Sequence, residues 1–439
     1  MRPASCLCRA ITLLVSLVGL LVLPTGAQAV PAFASQTGQQ CAACHVGGNW
    51  PALTPWGRFF KLTAYTAGQS AWEGGKFNHL PLGVWGQFGA TWVNDDANAS
   101  PPSANGAFRP KEVTVHLAGK LTEFAGVFLE YTSGYTAGSS PAWAWGSDVM
   151  DLRMAHFFQL AGQEVLLGVT ANDGPGIQDV WNTSWAWSFP FYGSPIAPGP
   201  AASPLPFGLA NFVAGFGAYA WVNRSVYAEL SFYRTALGGF RFMSWGVPWS
   251  QAGGAVYVDG YNPYWRLTYN TDLGAGNLMV GTVGMKTKAY PDNLRPQGRT
   301  DDYTDIGFDA QYQYLTDAHK FTVRASYLRE TQKFNASFPL GSSSAPDGDI
   351  TVINLNGAYW RGNTWGLSLG YVTTAGSANN ALYGFSTTPD TNNWVLELDY
   401  MLTQNIKLMA QYNAYTRFNG ISSGASGNNS LYLNAFIAY

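Results

Sequence analysis

From about residue 82 onward, apolar and polar residues alternate along the chain with a period of two. Between Tyr303 and Tyr314, Ile306, Phe308, Ala310 and Tyr312 are interleaved with Asp305, Asp309, Gln311 and Gln313. Phe321, Val323, Ala325 and Tyr327 alternate with Lys320, Thr322, Arg324 and Ser326 in the same way. Trp394, Leu396, Leu398, Tyr400 and Leu402 stand against Glu397 and Asp399. In a strand, successive side chains point to opposite faces, so this pattern separates an apolar face from a polar one. The final segment places Leu431, Leu433, Ala435, Ile437 and Tyr439 on one face and ends on an aromatic residue.

About sixteen such segments follow one another, an even number as single-chain bacterial barrels require. Their connections alternate in length. Thr122-Glu123, Ala161-Gly162-Gln163, Asn223-Arg224, Thr316-Asp317-Ala318, Arg361-Gly362-Asn363 and Thr403-Gln404-Asn405 read as tight turns. Between them lie long stretches at 133–148, 171–210, 235–260, 330–350 and 374–392. Short periplasmic turns and long external loops are the rhythm of outer-membrane barrels, which a soluble β-sandwich does not explain. The segment Leu205 to Val222 is apolar but broken by Pro206, Asn211 and glycines, which reads as a loop entering a strand. The expected fold is therefore all-β: a transmembrane antiparallel barrel of about 16 strands over residues 81–439.

Composition points the same way. Only 11% of the 439 residues are charged, while Trp 17, Tyr 24, Phe 25 and Gly 50 are high counts. The net charge of −2 gives no basic field for nucleic acid. Apart from the N-terminal run, no clean stretch of about 18 apolar residues suggests a spanning helix. Arg2 and Arg9, the apolar run Ile11 to Leu23, and Ala27-Gln28-Ala29 together read as a signal peptide over residues 1–29. Cys6 and Cys8 precede that apolar run and are expected to leave with it.

Residues 30–80 carry the chemistry. Cys41-Ala-Ala-Cys44-His45 has the C-x-x-C-H spacing that attaches one haem c. Two thiols at this spacing can form thioethers to one haem, and the adjacent histidine is then expected to be the proximal iron ligand. A closed zinc site would need further Cys or His ligands nearby, and a dithiol redox motif would need a βαβ context. Thr54 and Pro55 read as the N-cap and first position of a helix carrying Trp56, Phe59, Phe60 and Thr63 along one stripe. On it, Arg58 and Lys61 are either contacts to haem propionates or an ordinary solvated flank. A segment of about fifty residues buries a haem poorly by itself, so it is expected to plug the barrel. His79 is the leading candidate for the distal iron ligand, with His116, Met401 and Met409 also at lumenal parity. His156 and Met154 have lipid-facing parity, and His319 falls at a turn. Asp95-Asp96, Asp301-Asp302 and Asp347/Asp349 flank external loops, where turn formation is a commoner role than cation binding. With five histidines and no Ser/His/Asp arrangement, no nucleophilic site is indicated.

Pro31-Ala32-Phe33-Ala34-Ser35-Gln36-Thr37-Gly38, the C-x-x-C-H, and Pro51-Ala52-Leu53-Thr54-Pro55-Trp56-Gly57-Arg58-Phe59-Phe60-Lys61-Leu62 resemble the front end of the fused monohaem cytochrome–porins. These outer-membrane proteins are best known from bacteria that oxidise extracellular ferrous iron. Gly168-Val169-Thr170-Ala171-Asn172, Val180-Trp181-Asn182-Thr183 and Asn262-Pro263-Tyr264-Trp265-Arg266-Leu267 resemble their barrel segments. Ser35 stands where that pattern has Arg, and Ala64 where it has Gly. The resemblance implies one-electron oxidation of extracellular Fe(II) at a single covalent haem c in the outer membrane. Electrons would pass to a periplasmic carrier such as a soluble cytochrome c. An outer-membrane conduit for another donor or acceptor, and a diffusion porin with an accessory haem, are the alternatives. Abundant aromatic residues at lumenal parity, Trp85 and Phe128 among them, favour a conduit over an open channel.

Overall fold

The computed structural model describes residues 32–439 except 49, 137–141, 245–255 and 293–295. The signal-peptide segment lies outside the described residues.

Sixteen antiparallel strands close into one barrel. They are β1 Leu82–Val93, β2 Phe108–Thr122, β3 Ala125–Thr136, β4 Ala142–Leu160, β5 Gln163–Asn172, β6 Val213–Val222, β7 Val226–Thr235 and β8 Asn262–Leu273. The second half comprises β9 Gly276–Ala289, β10 Asp301–Leu315, β11 His319–Lys333, β12 Asp347–Arg361, β13 Trp365–Gly376, β14 Thr391–Thr403, β15 Ile406–Arg417 and β16 Ser430–Ala438. Each strand pairs with its sequence neighbour, and β16 closes on β1 in the register Ser430↔Val93 to Ala438↔Trp85. Closure leaves no free strand edge, which a hydrocarbon environment demands.

The alternation read from the sequence is realised strand by strand. Ile306, Phe308, Val323, Leu367, Leu369, Leu396 and Leu398 face outward and are exposed, while Asp305, Asp309, Gln311, Arg324, Glu397 and Asp399 are buried inside. An apolar exterior around a polar interior inverts the soluble pattern, and only lipid makes such an exterior stable.

Within the barrel, one rim is built of connections of two or three residues. Asn223 and Arg224 there both have positive φ, as does the pair Ala161 and Gly162, the geometry that matches a two-residue turn to strand twist. The opposite rim carries the long loops. Short turns mark the periplasmic side of such barrels.

Residues 32–80 form the plug. It contains three short helices, α1 Ala32–Thr37, α2 Cys41–Cys44 and α3 Pro55–Leu62, and a small ribbon pairing Trp72–Glu73 with Lys76–Phe77. Only α3 was announced by the sequence, and its cap forms as expected: Gly57 N–H donates to the Thr54 hydroxyl at 3.1 Å. The plug binds the wall close to the short-turn ends of many strands. Gln36 accepts from Lys120 N–H of β2 at 2.8 Å, and Tyr219 of β6 donates to the Leu62 carbonyl at 2.7 Å. Trp360 of β12 and Met401 of β14 pack on Val46 and Ala52.

One long loop does not project outward. Residues 173–212, between β5 and β6, fold across the bore above the plug. Their carbonyls accept from Arg324 of β11 at 3.2 Å and Gln411 of β15 at 2.8 Å, and Gln178 donates to Glu229 of β7 at 2.6 Å. Thr91 of β1 meets Ser194 at 2.7 Å. The loop therefore spans the lumen from wall to wall.

Candidate cofactor site in the plugged lumen

The C-x-x-C-H sequence forms one helical turn and its C-cap, with His45 N–H donating to the Cys41 carbonyl at 2.9 Å. Cys41 and Cys44, three residues apart on that turn, share a side of it and are both free thiols. The following chain folds straight back onto the turn. Val46 N–H donates to the Ala52 carbonyl and Thr54 N–H to the Cys44 carbonyl, both at 2.9 Å, and the Thr54 hydroxyl reaches the Ala43 carbonyl at 2.6 Å. Helix α3 then lies so close that a Cβ on Gly57 would sit 2.2 Å from the Cys44 carbonyl oxygen. Only glycine permits this approach.

Burial pushes the His45 imidazole down to about pKa 4. The ring is thus neutral at physiological pH, the form that binds a metal. Its Nδ1 is buried without a hydrogen-bond partner. Burial also raises both thiols, Cys44 to about 11 with Cys41 beside it, unlike the low-pKa thiols of dithiol oxidoreductases. Among the described residues no cluster of three or more His, Cys, Asp or Glu is placed to hold a metal ion, as a closed zinc site would be. A neutral imidazole with an unpartnered nitrogen, next to two free thiols on one helical turn, fits the attachment of haem c.

Aromatic rings pack within the plug and between it and the wall. Trp50 lies 6.1 Å from His45 between centroids and stacks on Phe436 at 5.0 Å, which stacks on Trp85 at 4.9 Å. Phe33 contacts Phe60, Tyr65 and Phe128. Trp85 and Phe128 are thus lumenal, as their parity predicts.

Arg58 and Lys61 are not a solvated flank. Arg58 is buried and donates to the Leu53 carbonyl, to Gln311 and Gln313 of β10, and to Asn277 of β9. Lys61 donates to the carbonyls of Ile177 and Asp179 in the inward loop. Both cations therefore fasten the plug, to the wall and to the loop respectively.

His79 sits half-buried in the link before β1, its Nε2 without a partner. His116 is buried in the lumen 6.1 Å from Phe128, with Nδ1 unpartnered. Met401 and Met409 are buried at lumenal positions, Met401 against the stretch that follows His45. Met154 and His156 face outward, and His319 meets the Tyr359 hydroxyl at 2.8 Å on the rim. Asp95 forms a local turn, accepting from Ala97 N–H, whereas Asp301 pins a neighbouring loop by accepting from Ala336 and Ser337 N–H.

The inward loop is the part that sequence reasoning missed. Its hub is Asp179, which accepts from the N–H groups of Trp181, Thr183 and Ser184 at 2.9, 3.0 and 2.9 Å and pairs with Arg266 at 3.3 Å. The concentration of Trp, Phe and Tyr between 181 and 192 was its available signal, since a solvated loop has little use for them.

An even-stranded closed barrel with an apolar exterior, short turns at one rim and long loops at the other is a transmembrane barrel of the bacterial outer membrane. Here its bore is filled by the chain's own N-terminal segment and one long loop. No protein-family model matches this chain, and no curated protein does. Among solved structures it is similar to OmpF of Salmonella typhi, determined in complex with daunomycin (11% identity, 82% of this chain and 97% of that one, TM-score 0.47). It is also similar to an anion-selective porin from Comamonas acidovorans (13%, 82% and 98%, TM-score 0.44). The outer-membrane channel DcaP of Acinetobacter baumannii is a third (11%, 82% and 96%, TM-score 0.44). At these scores the likenesses add nothing to what the strand order itself shows.

Proposed function

We propose that the protein is an outer-membrane electron-transfer cytochrome–porin. A single haem c is carried by thioethers from Cys41 and Cys44, with His45 as the proximal iron ligand. The group supplies a reversible one-electron couple. The chain's residues do the rest: His45 presents a neutral nitrogen, Trp50, Phe436 and Val46 keep the surroundings apolar, and Arg58 and Lys61 hold the plug in place. The extracellular donor is Fe(II), as the resemblance implies, and the acceptor is a periplasmic carrier such as a soluble cytochrome c.

The observation that carries this reading is the position of the C-x-x-C-H turn. It lies inside the bore near the periplasmic rim and is covered from outside by residues 173–212. A cofactor held by Cys41, Cys44 and His45 would stand near the periplasmic side of a membrane span whose hydrocarbon core is about 30 Å thick. The same filled bore argues against a diffusion porin, which needs a water-filled lumen.

Purified mature protein should retain covalent haem after denaturing electrophoresis, and Cys41→Ser/Cys44→Ser should lose it. Ferrous ion should reduce the oxidised haem within seconds. A colourless wild type sinks the cytochrome reading, whereas a haem inert to ferrous ion but reducible by another donor leaves only the general conduit. His79 is the leading candidate for a second iron ligand, with His116, Met401 and Met409 the other lumenal candidates. Loss of the low-spin spectrum in His79→Ala or His116→Ala identifies which one serves.

A further inference from the structure

A continuous set of aromatic contacts joins the extracellular loop to the attachment turn. Tyr192 belongs to the inward loop, next to the exposed Gly193. Its ring lies 5.7 Å from that of Phe436, and its hydroxyl donates to the Trp50 carbonyl at 2.9 Å. Phe436 and Trp50 stack at 5.0 Å with an interplanar angle of 25°, and Trp50 reaches His45 at 6.1 Å. Every step falls within the range of aromatic rings in direct contact. The residues come from three distant parts of the chain, a loop, a closing strand and the plug, so no local packing rule brings them together.

We propose that Tyr192, Phe436 and Trp50 form the path by which an electron from the extracellular side reaches the haem at His45. The inference rests on the haem reading above and adds the route. The plug and the inward loop both cross the bore and stand between an extracellular donor and the attachment turn. A donor halted beside Gly193 stands at the outer end of the ring series. One electron leaves the donor, Fe(II) becoming Fe(III), and a haem held by Cys41, Cys44 and His45 would supply the one-electron acceptor. No bond forms or breaks and no proton moves. Contacting π systems couple donor and acceptor better than the saturated side chains or open gaps that would otherwise separate them.

The test uses full-length mature protein in detergent, mixed rapidly with ferrous ion while haem absorbance is followed. Haem content and midpoint potential are measured beside each variant. Trp50→Leu and Phe436→Leu should each slow reduction by an order of magnitude or more, with haem content and potential unchanged. Trp50→Phe, which keeps a ring, should restore most of the rate. Wild-type rates in both leucine variants would overturn the proposal. So would slowing accompanied by a matching loss of haem or shift in potential, which assigns the rings to packing alone. A wild type without haem fails at the first spectrum and condemns the cytochrome reading, distinguishing that failure from failure of the route.

Discussion

Tyr65 of the plug donates its hydroxyl proton to Asp151 of β4 at 2.6 Å, and both groups are buried. Asp151 is also held by Arg153 at 2.9 Å, so the hydroxyl completes a charged cluster on the lumen wall. The bond comes just after α3 and ties the middle of the plug to the wall. Tyr65→Phe keeps the stack on Phe33 but leaves a buried carboxylate with one donor fewer. A buried hydrogen bond to a charged group contributes about 1.5–3 kcal/mol, so the variant should unfold that much more easily. Limited proteolysis should cut the plug of this variant before the barrel. An unchanged denaturant midpoint and cleavage pattern would show that the plug is seated by other contacts.

Ala64 and Tyr65 both lie in the left-handed region, with φ of 58° and 59°. A non-glycine residue there costs about 1–2 kcal/mol, and Ala64 is the position at which the cytochrome–porin pattern has Gly. Its methyl is fully buried, so removal also loses a small packing contribution. Ala64→Gly should still raise stability by about 1 kcal/mol, read as a higher denaturant midpoint. A lower midpoint would mean that packing of the methyl outweighs the backbone strain.

Strand positions were legible because one physical test is applied at every second residue. Lipid accepts Ile306 and Phe308 and rejects Asp305 and Asp309, so the period of two survives without knowledge of any partner. Turns were legible for a similar reason, since Asn223-Arg224 and Ala161-Gly162 satisfy a purely local backbone demand. The C-x-x-C-H turn is local too. The seating of the plug was not legible. Arg58 finds Gln313 at a separation of 255 residues, and no spacing along the chain announces that pair. Inward folding of residues 173–212 depends likewise on acceptors and donors supplied by β7, β8, β10, β11 and β15. From sequence alone, its aromatic residues between 181 and 192 set that stretch apart from a solvated loop, but nothing there names the wall residues it meets.

Asp179 is the residue on which that loop turns. Burial alone would raise its carboxyl, yet Arg266 and the N–H groups of Trp181, Thr183 and Ser184 bring it below the usual carboxylate range. A carboxyl depressed by folding stabilises the protein above its unfolded value, and the contribution is lost as pH falls through the folded value. The loop's hold should therefore be full at neutral pH and weaken only below the ordinary carboxylate range. Asp179→Ala removes it at every pH. Arg266 keeps Asp309 at 2.7 Å, so the cost should lie near the low end for a broken buried pair, about 3 kcal/mol. Planar-bilayer recordings should then show ion currents through the variant that the wild type lacks at neutral pH. Equal, negligible conductance in both would mean that the plug alone closes the bore.

Leu396 of β14 faces Leu369 of β13 across the outer surface, and both are exposed. The neighbour Val395 points inward and is fully buried, so a single residue separates the two faces. If the exposed face meets hydrocarbon, a charge in mid-strand must be desolvated, whereas one near the rim can reach the headgroups. Leu396→Arg should cost about 2–4 kcal/mol, and Leu402→Arg, next to the last residue of β14, about 0–1 kcal/mol. Both changes remove a leucine from β14 and add the same cation, so depth is the main difference between them. Denaturant unfolding of protein folded into lipid vesicles measures both costs. A soluble barrel would tolerate either arginine on its exterior, so equal and small costs would remove the membrane assignment.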